Sequence, residues 1–144
     1  MEILVRSHSG LRWIALGLLV YAIFNALRKK DFYAKSDRLV NMFAMVSLHI
    51  QLVIGLILYF TSSKVSFVDG WMTEKTGVLR FYGMEHISLM ILSIILVTIG
   101  HAKAKRTNEP AKKHKTILLF YAIGLILIIA SIPWPFRNLG AGWF

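Results

Sequence analysis

Four long apolar blocks, separated by charged segments, dominate the chain. The first runs from about Ser9 to Leu27 and is interrupted only by Arg12 and Asn25. The second covers about Leu39–Phe60, the third about Phe81–Ala102 with a start as early as Thr76 left open, and the fourth about Thr116–Trp134. Each is close to the ~20 residues a helix needs to cross a hydrocarbon core of ~30 Å. Backbone N–H and C=O groups in lipid must be satisfied within their own segment, so the blocks predict helices. None shows the period-2 alternation of a barrel strand. The first and third connections are short, which makes neighbouring helices antiparallel. The expected fold is all-α, a transmembrane up-down-up-down four-helix bundle. With no internal repeat and no low-complexity linker, residues 1–144 read as a single transmembrane domain. The stretch Met1–Trp13 lacks an A-x-A-like site and runs on into a full span, so it does not read as a cleavable signal.

Composition changes this picture little: of 144 residues, 56% are hydrophobic and the formal net charge is +10. The charge gives it an orientation. Eleven basic residues (Arg28, Lys29, Lys30, Lys35 and Arg38 in the first connection; Lys103, Lys105, Arg106, Lys112, Lys113 and Lys115 in the third) fall on one side, against six on the other (Arg6, Arg12, Lys64, Lys75, Arg80 and Arg137). The richer side is expected to be cytoplasmic, which puts both termini on the non-cytoplasmic side. Trp13, Tyr59, Phe60, Trp71, Phe81, Tyr82, Trp134 and Phe136 gather near the outer ends, as interfacial aromatic rings do. Pro133 and Pro135 should stop the fourth helix there. Basic residues placed between apolar blocks argue against nucleic acid, whose partners carry them along one face of a soluble fold.

The chain has no cysteine. That excludes disulfides, iron–sulfur clusters, thiolate metal sites and covalently attached c-type haem, and leaves His, Met, carboxylate or backbone to hold any cofactor. Ionisable groups inside a span are costly and tend to be functional, which singles out Arg12, His49, Glu85, His86 and, at the edge, His8. His49 stands near the centre of the second span, ~17 Å deep by helix rise, and Met42, Met45 and Gly55 surround it in sequence. His86 lies ~8–15 Å deep in the third. The pair can share one metal only if the third helix starts early, near Thr76; His8 is the competing partner for His86. On this reading His49→Ala is the most damaging histidine change. Arg12 and Glu85 are expected to pair, or Arg12 to neutralise a haem propionate. His101 and His114 flank the basic third connection, where a second haem is conceivable and surface histidines are the simpler account. Gly10, Gly17, Gly83, Gly100 and Gly124 suit close helix contacts. Scattered methionines admit copper handling but fit packing as well. No nucleophile–base pair, phosphate loop or HExxH motif is present.

Residues His8-Ser9-Gly10-Leu11-Arg12-Trp13, His49-Ile50-Gln51-Leu52, Gly55-Leu56-Ile57-Leu58-Tyr59-Phe60, Glu85-His86, Lys113-His114-Lys115 and Ile132-Pro133-Trp134-Pro135-Phe136-Arg137 together resemble a family of small four-helix bacterial membrane proteins commonly labelled cytochrome b. The resemblance spans nearly the whole chain. It implies haem b held by membrane histidines, which carries over to His8, His49 and His86. The expected function is membrane electron transfer, in contact with quinol or within a larger membrane redox complex, by an electron carrier or subunit rather than a stand-alone enzyme. A cofactor-free accessory or assembly subunit, docking through Thr61–Leu79 and Asn138–Phe144, is the alternative.

Overall fold

A computed structural model describes residues 1–28 and 31–143; Lys29 and Lys30, two of the basic residues that set the expected orientation, and Phe144 lie outside them. It is all-helical, with helices α1 (Glu2–Leu27), α2 (Lys35–Thr61), α3 (Val78–Arg106) and α4 (Pro110–Ser131), each long and apolar enough to cross a membrane. A 3₁₀ turn over Pro135–Arg137 follows.

The helices overrun the apolar blocks where local chemistry favours a start. Asp37 accepts the Ala34 N–H at 2.9 Å, the reach-back half of a capping box, and so starts α2 four residues before the apolar run. Pro110 opens α4 from its first turn, where its missing N–H costs nothing. At the other end α4 stops at Ser131, not at Trp134. The residue before a proline is pushed out of the helical region, and Ile132 is accordingly extended at φ −70°, ψ 132°.

Specific neighbours show how the helices lie together. Along α1 and α2 these are His8 with Gln51 and Asn25 with Asp37. Along α2 and α3 they are Tyr59 with Gly83 and His49 with Thr98. Along α3 and α4 they are His86 with Ser131, Ser93 with Gly124 and Ala104 with Lys113. In each case the number rises on one helix as it falls on the other. Leu19, Val97, Ile117 and Tyr121 are fully buried between them. The outer surface is just as apolar: Phe43, Val46, Ile50, Val53, Ile57 and Phe60 all point out from α2, as suits a protein whose solvent is lipid. Burial of oil against oil does not hold such helices together; close packing and polar contacts do. A Cβ added at Gly124 would meet Val97 Cγ2 at 2.8 Å and Ser93 Oγ at 3.2 Å, and one at Gly100 would collide with Phe120. Gly10 and Gly17, by contrast, have nothing within 4 Å of such a Cβ, so they are not contact glycines.

Candidate functional site

The end of α4 positions the central histidine. A helix leaves its last four carbonyls without helical partners, and here each finds one. The Ile128 carbonyl takes the Ile132 N–H at 3.0 Å and the Ser131 hydroxyl at 3.1 Å. Trp134 Nε1 donates to Ile129 at 2.9 Å, and Arg137 Nη1 to Ala130 at 3.0 Å. The fourth carbonyl, of Ser131, accepts from His86 Nδ1 at 2.7 Å. An Nδ1–H held by a carbonyl leaves Nε2 of a neutral ring unprotonated and free to bind a ligand, the arrangement common among metal-binding histidines.

His86 also follows a local irregularity. Residues Phe81–Glu85 form a π-helical turn directly before it, and the Tyr59 hydroxyl donates to the Gly83 carbonyl there at 3.0 Å. Single π turns widen a helix by one residue and recur at functional sites. This one re-registers the outer part of α3 against the rest, so that Tyr82 and His86 both face inward.

What they face is a cavity of about 430 Å³ between the helices, at the end of the bundle that carries both termini. Its volume falls within the ~300–1,000 Å³ typical of small-molecule and cofactor sites. Leu48, Leu52, Met90, Ile94, Ile128 and Ile132 make its apolar wall; His8, Arg12, Gln51, Tyr59, Lys64, Tyr82 and His86 bring polar groups to it. The His8 and His86 rings stand 6.4 Å apart, centroid to centroid, with planes at 79°. Gly55 leaves room beside them: a Cβ there would come 3.3 Å from His8 Cε1. Three buried polar atoms on this cavity have no hydrogen-bond partner among the described residues, namely His8 Nδ1, Arg12 Nε and Gln51 Oε1. Buried polar atoms are nearly always satisfied, so three such atoms at one place offer hydrogen-bonding capacity to a ligand or water in the cavity. Outside the spans, burial holds the Lys64 ammonium below the ordinary lysine range.

The structure corrects two expectations. His49 and His86 do not share a site. His49 lies level with Thr98, twelve residues along α3 from His86, which is ~18 Å of helix. Its Nδ1–H donates to the Met45 carbonyl one turn back at 2.9 Å. Its Nε2 faces a separate shallow groove with Ile91, Ile94, Ile95 and Thr98. The second correction concerns Arg12 and Glu85. Glu85 pairs with Arg80 at 2.8 Å, and Arg12 Nη2 donates instead to the Trp143 carbonyl at 2.8 Å. The π turn leaves Glu85 on the flank that Arg80 occupies. At the far end of the bundle, His114 Nε2 donates to the Phe32 carbonyl at 3.1 Å and its ring lies 5.1 Å from Tyr33, while His101 shares none of these partners.

Sequence marked Gln51 and Tyr59 only as motif residues, Tyr82 as an interfacial ring, Lys64 as a basic residue and Gly140–Gly142 as part of a docking segment, yet all line the cavity. One signal was available. Leu48, Gln51, Leu52, Gly55 and Tyr59 recur at helical spacing and define one face of α2, and His49 lies ~100° off that face. No protein-family model, curated protein or solved structure matches the chain.

Proposed function

We propose that the protein binds haem b in this cavity, that His8 and His86 would hold its iron, and that it serves as an electron-transfer protein of the membrane. The observation that carries the reading is the His8–His86 pair. Imidazole nitrogens sit about 2 Å from a bound metal, so two rings that hold one ion have centroids up to about 6 Å apart, and these are 6.4 Å apart. The residues present suit the group. The ring position of His8 is orphaned at Nδ1, His86 is oriented by a carbonyl, and Gly55 clears the side of His8. The apolar wall suits a macrocycle, and Arg12 and Lys64 on the cavity lining would supply cations to its acidic side groups. Bound haem would supply a one-electron centre; the chain's own part is to hold it, exclude water and set its polarity. We further propose that the basic connections face the cytoplasm by the positive-inside rule. The cavity then opens near the outer face of a bacterial inner membrane, within reach of quinol or a partner redox complex.

The test is absorption of protein purified from haem-replete cells, with pyridine-haemochrome quantitation. One haem per chain with a low-spin spectrum is expected, lost in both His8→Ala and His86→Ala and retained in His49→Leu. A colourless wild-type protein, recovered with larger partners, would overturn the reading in favour of the cofactor-free subunit.

A further inference from the structure

The polar mouth of the cavity is covered by the chain's own tail. Beyond the 3₁₀ turn the backbone passes through left-handed conformations at Asn138 (φ 56°) and Gly140 (φ 70°) and continues without regular structure to Trp143. Three carbonyls of this strap are held by side chains from three different parts of the fold. Tyr82 of α3 donates to Leu139 at 3.2 Å. Lys64, from the connection after α2, donates to Gly140. Arg12 and Trp13 of α1 donate to Trp143 at 2.8 and 3.0 Å, and the Trp143 ring stacks on Trp13 at 6.3 Å.

Two full cations are thus matched with neutral carbonyls. Hydrogen bonds from the same groups to a carboxylate are roughly twice as strong, and a guanidinium binds a carboxylate through two parallel N–H donors. Arg12 presents only one of them to the strap; its Nε is buried and unpartnered. Among the described residues the one carboxylate on the cavity wall, Glu2, is taken up by Arg6 at 2.7 Å. The cavity therefore joins an apolar chamber to an incompletely satisfied cationic mouth.

We infer that Arg12 and Lys64 form a carboxylate subsite for an amphipathic anion whose apolar body fills the cavity, and that the strap Leu139–Trp143 is a lid the incoming carboxylate displaces. The inference rests on the haem reading only for the ligand's identity, since the propionates of haem are carboxylates of this kind; a long-chain fatty acid presents the same chemistry.

The chain lacks cysteine, so Ala141→Cys gives a single site for a nitroxide on the strap. Its mobility is read by electron paramagnetic resonance in lipid nanodiscs. Haem and laurate are expected to mobilise the label. The dimethyl ester of haem and dodecanol, which lack the carboxylate, are expected to leave it immobile. In the Arg12→Gln/Lys64→Gln variant the label should be mobile from the start and indifferent to either acid. Should that variant not fold, Lys64→Gln alone should show intermediate mobility without ligand. Haem that binds, by its Soret band, while the label stays immobile would overturn the lid and leave the haem reading standing. Laurate that mobilises the label in a protein that takes up no haem would support the lid and sink the haem reading. Equal mobilisation by acid and ester, or no response to either acid, would overturn the carboxylate subsite.

Discussion

The two ends of this bundle handle buried polarity in opposite ways. At the end formed by the first and third connections, polar side chains are buried and matched. Asn25 donates to Asp37 at 3.2 Å, and Asp37 also accepts the Ala34 N–H. Asn41 donates to the Tyr33 hydroxyl at 2.8 Å, and the Tyr121 hydroxyl donates to the Asn41 carbonyl at 2.6 Å. Asp37 and Tyr121 are essentially inaccessible. At the end that carries the termini, polar groups surround a cavity, and His8, Arg12 and Gln51 each keep a buried atom without a partner. Among the described residues the end with the connections leaves one such atom, His101 Nδ1, against three at the other. In lipid, where apolar burial between helices contributes little, a saturated polar network is a main source of specific association. Unsatisfied groups oppose folding unless a ligand completes them. The first end is closed by matched polar contacts, and the second leaves polar atoms open around a cavity.

The sharpest way to break this comparison is to exchange a residue at each end. Asp37→Ala removes a buried acceptor of several hydrogen bonds and should lower stability by about 3 kcal/mol, from the magnitude of bonds to charged groups and of newly orphaned partners. His8→Leu in haem-free protein removes an orphaned nitrogen and adds apolar contact, so its stability should lie within about 0.5 kcal/mol of wild type or above it. Unfolding in a common detergent, followed by circular dichroism, compares the two. If Asp37→Ala proves neutral, or His8→Leu costs as much as Asp37→Ala, the division of labour between the ends is wrong.

The elements were legible from hydrophobicity because a lipid-crossing helix must be long and apolar; the bounds were not, because Asp37 and Pro110 start helices by local capping beyond the apolar run. His8, His86 and Arg12 stood out as ionisable groups in spans, and the structure gathers them. His49 stood out for the same reason and lies elsewhere. Depth along a helix was misjudged by the offset between α2 and α3, which the Tyr59–Gly83 bond and the level of His49 beside Thr98 show. The π turn over Phe81–Glu85 has no hydropathy signature, so the side to which Glu85 points could not be read. The strap was unreadable because its contacts use backbone carbonyls, which every residue has.

Glycines sharpen the comparison at intermediate energy. Gly124→Ala sets a methyl against Val97 Cγ2 at 2.8 Å, in the tight α3–α4 contact between the two ends. Forcing those helices apart should cost about 1–3 kcal/mol, as overpacking does. Gly17→Ala meets nothing within 4 Å and lies mid-helix, so it should stabilise by about 0.5–1 kcal/mol through propensity alone. Gly55→Ala sits between. Its methyl comes 3.3 Å from the His8 ring on the open cavity side, where the ring has room to yield. Haem uptake should fall in this variant while the melting temperature of the haem-free protein stays near that of wild type. A melting temperature for Gly17→Ala as low as that for Gly124→Ala would show that the helix contacts are misassigned.

The smallest effect is expected at the residue hydropathy makes most prominent. His49 is an imidazole at the middle of a lipid-crossing helix, but its Nδ1–H stays within α2, on the Met45 carbonyl, and so does not tie helices together. Its Nε2 stands 3.5 Å from Thr98 Oγ1, at the limit of a hydrogen bond, and that hydroxyl already donates to the Ile94 carbonyl at 2.6 Å. No proton is then left for the Thr98–His49 contact while Nδ1 keeps its own, so the contact between helices is weak. Hydrogen bonds between membrane helices average only about 0.6 kcal/mol even when well formed. His49→Leu should therefore cost no more than about 0.5 kcal/mol, with some return from apolar surface gained in the groove with Ile91 and Ile95. A cost above about 2 kcal/mol, or loss of haem in this variant alone, would place the organising histidine in the middle of the bundle and not at the end that carries the termini. Read beside Asp37→Ala and His86→Ala under the same conditions, His49→Leu separates three roles for a buried polar residue in one small fold: holding helices together, receiving a ligand, and merely being tolerated.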